Sequence, residues 1–535
     1  MKKILLIFIL LLAAFLRLYH LDTNPPSLYW DEASLGYNAY SILNSGRDEH
    51  GELFPLARFM AFGDYKPPGY IYAAVPFISF LGLNETSVRL PSALAGILMV
   101  YFTFILTYEL FIRSKPALIA SFLLAVSPWS LHLSRAAFEA NLAALFSLSG
   151  IYFFFRSRSK GPLTILSFFF FLLSFHTFNA NRIIAPLLIF VLSFIFYRTV
   201  LSNLKWFLIS GALSFIFLIP SLGFLTSPES RIRLQEVSIF NNLTPLIESN
   251  SRISLDSNTV ISKLLHNRRI VYALDYLSHF TDNFKLRYLF TRGDVNARLA
   301  LPDTGQLLVI NLPFLILGLY YLLSKLDRKS SLIFSWLVIA VIPAGLAKET
   351  PHALRTVSIL PAYQIIIAWG WYRLLIWLKK KYPVRIITAI LTLIAFFLSV
   401  NLSFYLHQYH IHFPRNWSGE WQYGTREMAE FVSARENFYD RIYISPLIGR
   451  PYIFIAFYKP FEPVDFNSAR QAHKDIQGFW EVTGLGKYRF NLDNMPVSGK
   501  ILAVKKDADL PRGFKLIKII HNLSGEPVFY ISDSL

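Results

Sequence analysis

The chain has 535 residues, of which 54% are hydrophobic, 16% aromatic and only 16% charged, with a formal net charge of +18. Charge this sparse, with a positive mean hydropathy, excludes an ordinary soluble protein and indicates a polytopic α-helical membrane protein. The lack of cysteine excludes disulfides and thiolate metal sites. Lys and Arg fall between apolar runs, so the basic surplus reads as membrane loops and not as nucleic-acid binding.

Met1-Lys2-Lys3 followed by Ile4–Leu16 has the outline of a signal peptide. No small-x-small cleavage site follows, and the run continues through Arg17, Leu18 and Tyr19, so a retained first helix is expected. Eleven apolar runs are long enough to span a bilayer: 4–21, 88–112, 116–132, 138–155, 162–178, 183–199, 204–222, 305–323, 331–347, 355–378 and 385–406. The run Tyr70–Leu83 is shorter, contains Pro76 and follows Pro67-Pro68-Gly69, so an interfacial or re-entrant helix is expected there.

Loop charge sets the orientation. With Lys2 and Lys3 in the cytoplasm and 70–83 left out of the count, the cytoplasmic connections carry Arg113/Lys115, Arg156/Arg158/Lys160, Arg198/Lys205, Lys325/Arg328/Lys329 and Lys379–Lys381/Arg385. All are short and basic, as the positive-inside rule requires. The outer face then receives the loop 22–87, turns near Arg135 and Arg182, the segment 223–304, the loop Lys348–Arg355 and everything after about 407. Residues 1–406 thus read as a transmembrane domain and 407–535 as a small extracytoplasmic α/β domain, in the plasma membrane of a cell envelope.

Within 223–304, the amphipathic pieces Val260–Leu265 and Ile270–Phe280 are expected to lie along the membrane surface. Beyond 407, strands are expected at Asp440–Ser445, Tyr452–Tyr458, Lys500–Val504, Phe514–His521 and Pro527–Ser532. Helices are expected at Glu427–Arg435 and Ser468–Ile476.

The polar residues of the outer face are the candidates for chemistry. Asp31 and Glu32 follow Tyr29-Trp30 at an expected helix start, where acids are favoured for structural reasons alone. Neighbouring helical side chains point about 100° apart, so only one of the two can aim squarely into a given pocket. In Asp64-Tyr65-Lys66-Pro67-Pro68, the prolines fix the start of a short helix and present Lys66 where a phosphate would be favoured. The structural alternative is a lysine that snorkels to the interface. Arg89, Arg135, Arg182 and Arg355 sit at outer ends of runs, where the positive-inside rule does not call for them, and each could fork onto a carboxylate or phosphate. For Arg135 an i,i+4 pair with Glu139 is the structural alternative. His176 and His352 show no metal-ligand spacing, which favours capping or hydrogen bonding.

Taken together, Trp30-Asp31-Glu32, Lys66-Pro67-Pro68, Arg89-Leu90-Pro91-Ser92 and the Ser134-Arg135-x-x-x-Glu139 pattern resemble the GT-C membrane glycosyltransferases. The nearest branch is the protein O-mannosyltransferase and aminoarabinose-transferase family. The likeness covers about residues 1–200, and the remainder only in architecture. It implies a polyprenyl-phosphate sugar as donor, with an acceptor protein, lipid or glycan, and inverting transfer outside the cytoplasm. Asp31 matches the family's catalytic aspartate, Glu32 a supporting acid, and Lys66 the lysine that meets the donor phosphate. Asp64, Arg135, Arg182, His352 and Arg355 are further substrate-binding candidates. Relatives often place an acid directly before Lys-Pro-Pro. Here Tyr65 holds that place, so a divalent metal ion on Asp31 and Asp64 is left open. A lipid-linked glycan ligase or polymerase shares the basic outer face. A lipid or solute transporter would call for mid-span ionisable residues and repeated halves, which this chain lacks.

Overall fold

The computed structural model describes residues 2–62, 64–475, 478–492, 495 and 499–534. Each of the eleven apolar runs carries helix. Among the described residues, five helices are long and apolar enough to cross a membrane: Glu85–Phe111, Leu204–Thr226, Arg328–Gly345, Val357–Lys381 and Val384–Trp417. Ser114–Ala125 and Pro128–Ser134, bent by 53° at their junction, bring the number to six if they form one span. The other runs hold shorter helices, such as Leu163–Phe175 and Asn181–Ile195. The protein is a multi-pass membrane protein by these helices. The expected short helix after Lys66 runs over Gly69–Leu81 and is capped by Pro68.

The chain divides into two compact units, each assembled from separated segments. The first comprises Met1–Ala13, Gly96–Leu133 and Ala140–Ser403 and is helical. Small residues set its closest packing. A Cβ on Gly318 would stand 2.0 Å from the Ile366 carbonyl oxygen, and one on Gly370 would stand 2.1 Å from that of Phe314. Helices Leu312–Ser324 and Ala362–Lys381 therefore meet backbone to backbone, as small residues allow in a lipid setting.

The second unit comprises Ala14–Ala95, Ser134–Glu139 and Phe404–Leu535. Its strands are β1 (Phe59–Ala61), β2 (Asp64–Lys66), β3 (Arg441–Ile444), β4 (Arg470–Lys474), β5 (Trp480–Leu485), β6 (Tyr488–Arg489), β7 (Ile501–Lys505), β8 (Lys515–His521) and β9 (Pro527–Asp533). β1 and β2 form an antiparallel hairpin. The other seven make one mixed sheet in the order β4-β5-β6-β3-β7-β9-β8, with β3 parallel to both neighbours.

Two expected elements differ. Pro451–Tyr458 is a helix, not a strand. Its residues Pro451–Phe457 are all buried, so no face alternates, and a fully apolar run does not separate helix from strand. Pro451 in the first turn, where a missing N–H costs nothing, favours the helix. Most of Ser468–Ile476 is strand β4, recruited by antiparallel pairing with β5; Ile476 lies outside the described residues.

A pair of acids follows the helix Trp30–Ser45 in this unit. Glu49 is 1% exposed; its Oε2 accepts from the Tyr452 hydroxyl, and Oε1 has no hydrogen-bond partner among the described residues. Burial pushes the Glu49 carboxyl up to about 7 and that of Asp48 up to about 6. The folded state thus binds the Glu49 proton more tightly than the unfolded chain, whose ordinary value is 4.5. The stability this group contributes is full below about 4.5 and falls as pH rises toward 7. Glu49→Gln is expected to flatten that decline and to stabilise the unit above pH 7 by about 3 kcal/mol. Thermal unfolding in detergent across this range checks it; an unchanged pH profile would contradict the assignment.

Candidate active site

The helix Trp30–Ser45 has Asp31 and Glu32 in its first turn, where unsatisfied N–H groups favour acids. From there the two side chains diverge. Asp31 is part exposed, with 29% of its side chain accessible. Its Oδ1 accepts from Lys66 Nζ at 2.6 Å, and its Oδ2 accepts from the Trp30 indole N–H at 3.2 Å. Lys66 is buried at the end of β2, which Pro67 and Pro68 terminate because proline cannot continue the ladder. Its Nζ also lies 3.8 Å from Glu139 Oε1, at the first residue of helix Glu139–Arg156. One ammonium therefore stands between two carboxylates.

Trp30 is held from behind. Its main-chain N–H donates to Gln422 Oε1 at 2.9 Å, and Gln422 Nε2 donates to the Ile448 carbonyl at 2.9 Å. Gly449, at φ +83°, lets the chain pass against the indole; a Cβ there would stand 2.4 Å from the ring.

Glu32 is fully buried and faces Arg89, also fully buried. Arg89 Nε and Nη2 fork onto the two carboxylate oxygens at 3.0 and 3.1 Å. The Ala137 main-chain N–H adds a third donor to Glu32 at 2.8 Å. Arg89 also donates to the carbonyls of Leu21, Pro25 and Ser27. Glu32 thus ties the helix that carries Asp31 to the turn that leads into Glu139.

Arg135 does not form the i,i+4 pair considered from sequence. The helix Pro128–Ser134 has ended and Glu139 opens a new one, so the two residues do not share a helix face. Arg135 donates instead to the carbonyls of Leu16, Tyr19, His20 and Asn24 and to the Tyr409 hydroxyl. That leaves Glu139 to face Lys66, a role that spacing on one supposed helix concealed.

Both carboxylate oxygens of Asp31 are engaged, Oδ1 by the Lys66 ammonium and Oδ2 by the Trp30 indole N–H. No group of three His, Asp or Glu among the described residues is arranged to hold a metal. Backbone pairing of Asp64 with Ala61 is described, but its side chain lies outside the described residues.

The remaining candidates belong to the helical unit. The His352 main-chain N–H donates to Asn283 Oδ1 at 3.0 Å, and its Nδ1 accepts from the Arg355 N–H at 3.4 Å, a capping arrangement. Next to it, the Ala353 N–H donates to Asp294 Oδ2 at 2.7 Å. Burial pushes the Asp294 carboxyl up to about 6. Arg182 follows Asn181, whose Nδ2 donates to Ser174 Oγ at 2.7 Å and whose Oδ1 accepts from Ser358 Oγ at 3.2 Å. The Arg182 guanidinium lies over Phe224. The structure therefore brings Asp31, Lys66 and Glu139 together in one unit, and ties the Arg182 turn to the segment after Arg355 in the other.

Among known families, the model described as dolichyl-phosphate-mannose-protein mannosyltransferase matches residues 7–226. Among curated proteins none matches the sequence. The crystal structure of ArnT from Cupriavidus metallidurans bound to undecaprenyl phosphate is similar over 100% of this chain and 98% of its own, at 11% identity and a TM-score of 0.55. The apo oligosaccharyltransferase of Archaeoglobus fulgidus is similar over 85% of this chain, at 12% identity and a TM-score of 0.50. The chain spans only 63% of that enzyme's length. Identities this low show a shared fold, and function has to be argued from the site. Residues 7–226 are thus similar in sequence to the mannosyltransferase family model, and the chain along its whole length shares the fold of ArnT.

Proposed function

We propose that this protein is an inverting glycosyltransferase that moves a sugar from a polyprenyl-phosphate donor to an acceptor hydroxyl on the outer face of the plasma membrane. The observation that carries this reading is the 2.6 Å pair of Asp31 and Lys66, with Glu139 as the second carboxylate. In the reaction, the acceptor oxygen bonds to the anomeric carbon while that carbon's bond to the phosphate oxygen breaks. Attack opposite to the leaving group inverts the configuration. The acceptor's proton passes to Asp31 as general base. Charge grows on the departing lipid phosphate, and Lys66 meets it.

Lys66 donates to Asp31 Oδ1, so a donor phosphate that draws the ammonium toward itself frees that oxygen to take a proton. Glu139 Oε1, 3.8 Å from Lys66 Nζ, adds a second carboxylate beside the ammonium. Donor binding thereby readies the base. Glu32 positions the pair through Arg89 and Ala137. Asp64 and Arg135 in the second unit, and Arg182, His352 and Arg355 in the helical unit, stand as proposed substrate-binding groups. Residues 407–535 are proposed to form the extracytoplasmic part.

Incubating purified protein with a panel of polyprenyl-phosphate sugars and measuring lipid phosphate release tests the reading. Release is expected with one donor class and an added acceptor. No release from any donor would overturn it.

A further inference from the structure

The helical unit carries a surface that its packing leaves bare. Helix Thr244–Leu255, helix Val260–Leu265 and helix Arg268–Asp282 follow one another after the apolar helix Leu204–Thr226. The last of the three is fastened to the end of the span Arg328–Gly345. Tyr276 donates to the Ile342 carbonyl, and the His279 ring lies 2.8 Å from the Ala347 carbonyl. Gly345 makes room for this: a Cβ there would stand 2.8 Å from the Tyr276 ring. Ser238 bridges to Ala347 as well. The three helices are thus fixed where an apolar span ends, which is the level of a bilayer boundary.

Their tip is strongly apolar and exposed. Leu255 is 80% exposed, Val260 84%, Ile261 69%, Leu264 68% and Leu265 59%. Five large aliphatic side chains this bare in one short stretch are costly in water. From Ser257 to Leu274 the chain carries Lys263, Arg268 and Arg269 and no acid, and the one acid of the tip, Asp256, has its Oδ2 3.1 Å from the His266 ring Nε2. Aliphatic knobs interleaved with basic residues, at the level where a span ends, match an interfacial segment seated among anionic headgroups.

We infer that residues 255–265 form a membrane-inserting tip, with Leu255, Val260, Ile261, Leu264 and Leu265 entering the acyl boundary. Lys263, Arg268 and Arg269 engage anionic lipid phosphates. The occupant is the bilayer in which the protein already sits, not a second polypeptide. This inference stands independently of the sugar-transfer reading.

The natural absence of cysteine makes the test direct, because an introduced thiol is unique. Leu264→Cys and, on the same module, Glu248→Cys carry a fluorescent label. The full chain is reconstituted in phosphatidylcholine vesicles, alone or mixed equally with phosphatidylglycerol. Shallow nitroxide lipids are expected to quench the label at 264 roughly threefold more than the label at 248, and more so with phosphatidylglycerol. Lys263→Gln with Arg268→Gln and Arg269→Gln is expected to remove the preference for phosphatidylglycerol. Equal access of an aqueous quencher to both labels would overturn the proposal. So would a label at 264 shielded from both quenchers, which would mean that protein covers the tip.

Discussion

Asp31→Asn is expected to lower lipid phosphate release by roughly 10²- to 10⁴-fold, the usual contribution of a positioned general base. The substitution keeps the shape of the side chain, and its one oxygen can still accept from Lys66 Nζ; the amide nitrogen then faces the Trp30 indole N–H, so that single hydrogen bond is lost while the local fold should persist. What it loses is the capacity to take the acceptor's proton. Under the proposed mechanism donor binding should fall far less than turnover, because the phosphate would meet Lys66 and not Asp31. Initial rates and donor affinity, measured side by side on the same preparation, separate the two effects. Turnover within a few-fold of the parent would remove Asp31 from the mechanism.

Arg89→Met is expected to carry the largest stability cost, about 3–5 kcal/mol, because it strips one partner from a buried ion pair. It leaves the Glu32 carboxylate with the Ala137 N–H alone, and it leaves the carbonyls of Leu21, Pro25 and Ser27 without that donor. A double variant with Glu32→Gln should recover part of the loss, since no charge then remains buried. Thermal or proteolytic midpoints in detergent give the comparison. A single variant within about 1 kcal/mol of the parent would mean that the pair holds nothing.

Periodicity and loop charge made the helical runs and the short helix after Pro68 legible. They failed at Pro451–Tyr458, where burial on every side erased the period. They failed also at Arg470–Lys474, whose strand state comes from its partner β5 and not from its own pattern. Within the site, the common face of Asp31 and Lys66 could be anticipated from loop charge, without their direct ion pair. The place of Glu139 could not, because Arg135 and Glu139 look like one helical turn in sequence while the chain breaks between them. Nor does anything near Trp30 in the sequence announce Gln422 and Gly449 as its support.

That support has a consequence for how the protein is made. The Trp30 N–H meets the side chain of Gln422, 392 residues further on. At ribosomal speed, Asp31 emerges roughly 20 to 80 s before its backing exists. Helices of the membrane domain are inserted one after another during that interval, while the loop that carries Asp31 waits incomplete. Its first braces, Arg89 and then Ala137, come early. The remainder, including the Tyr409 contact of Arg135, arrives only with the final quarter of the chain. A nascent chain stalled or cut before Phe404 would thus hold the acids and the lysine yet lack the wall behind them. Competence for chemistry would then switch on late in synthesis, after the spans are in place.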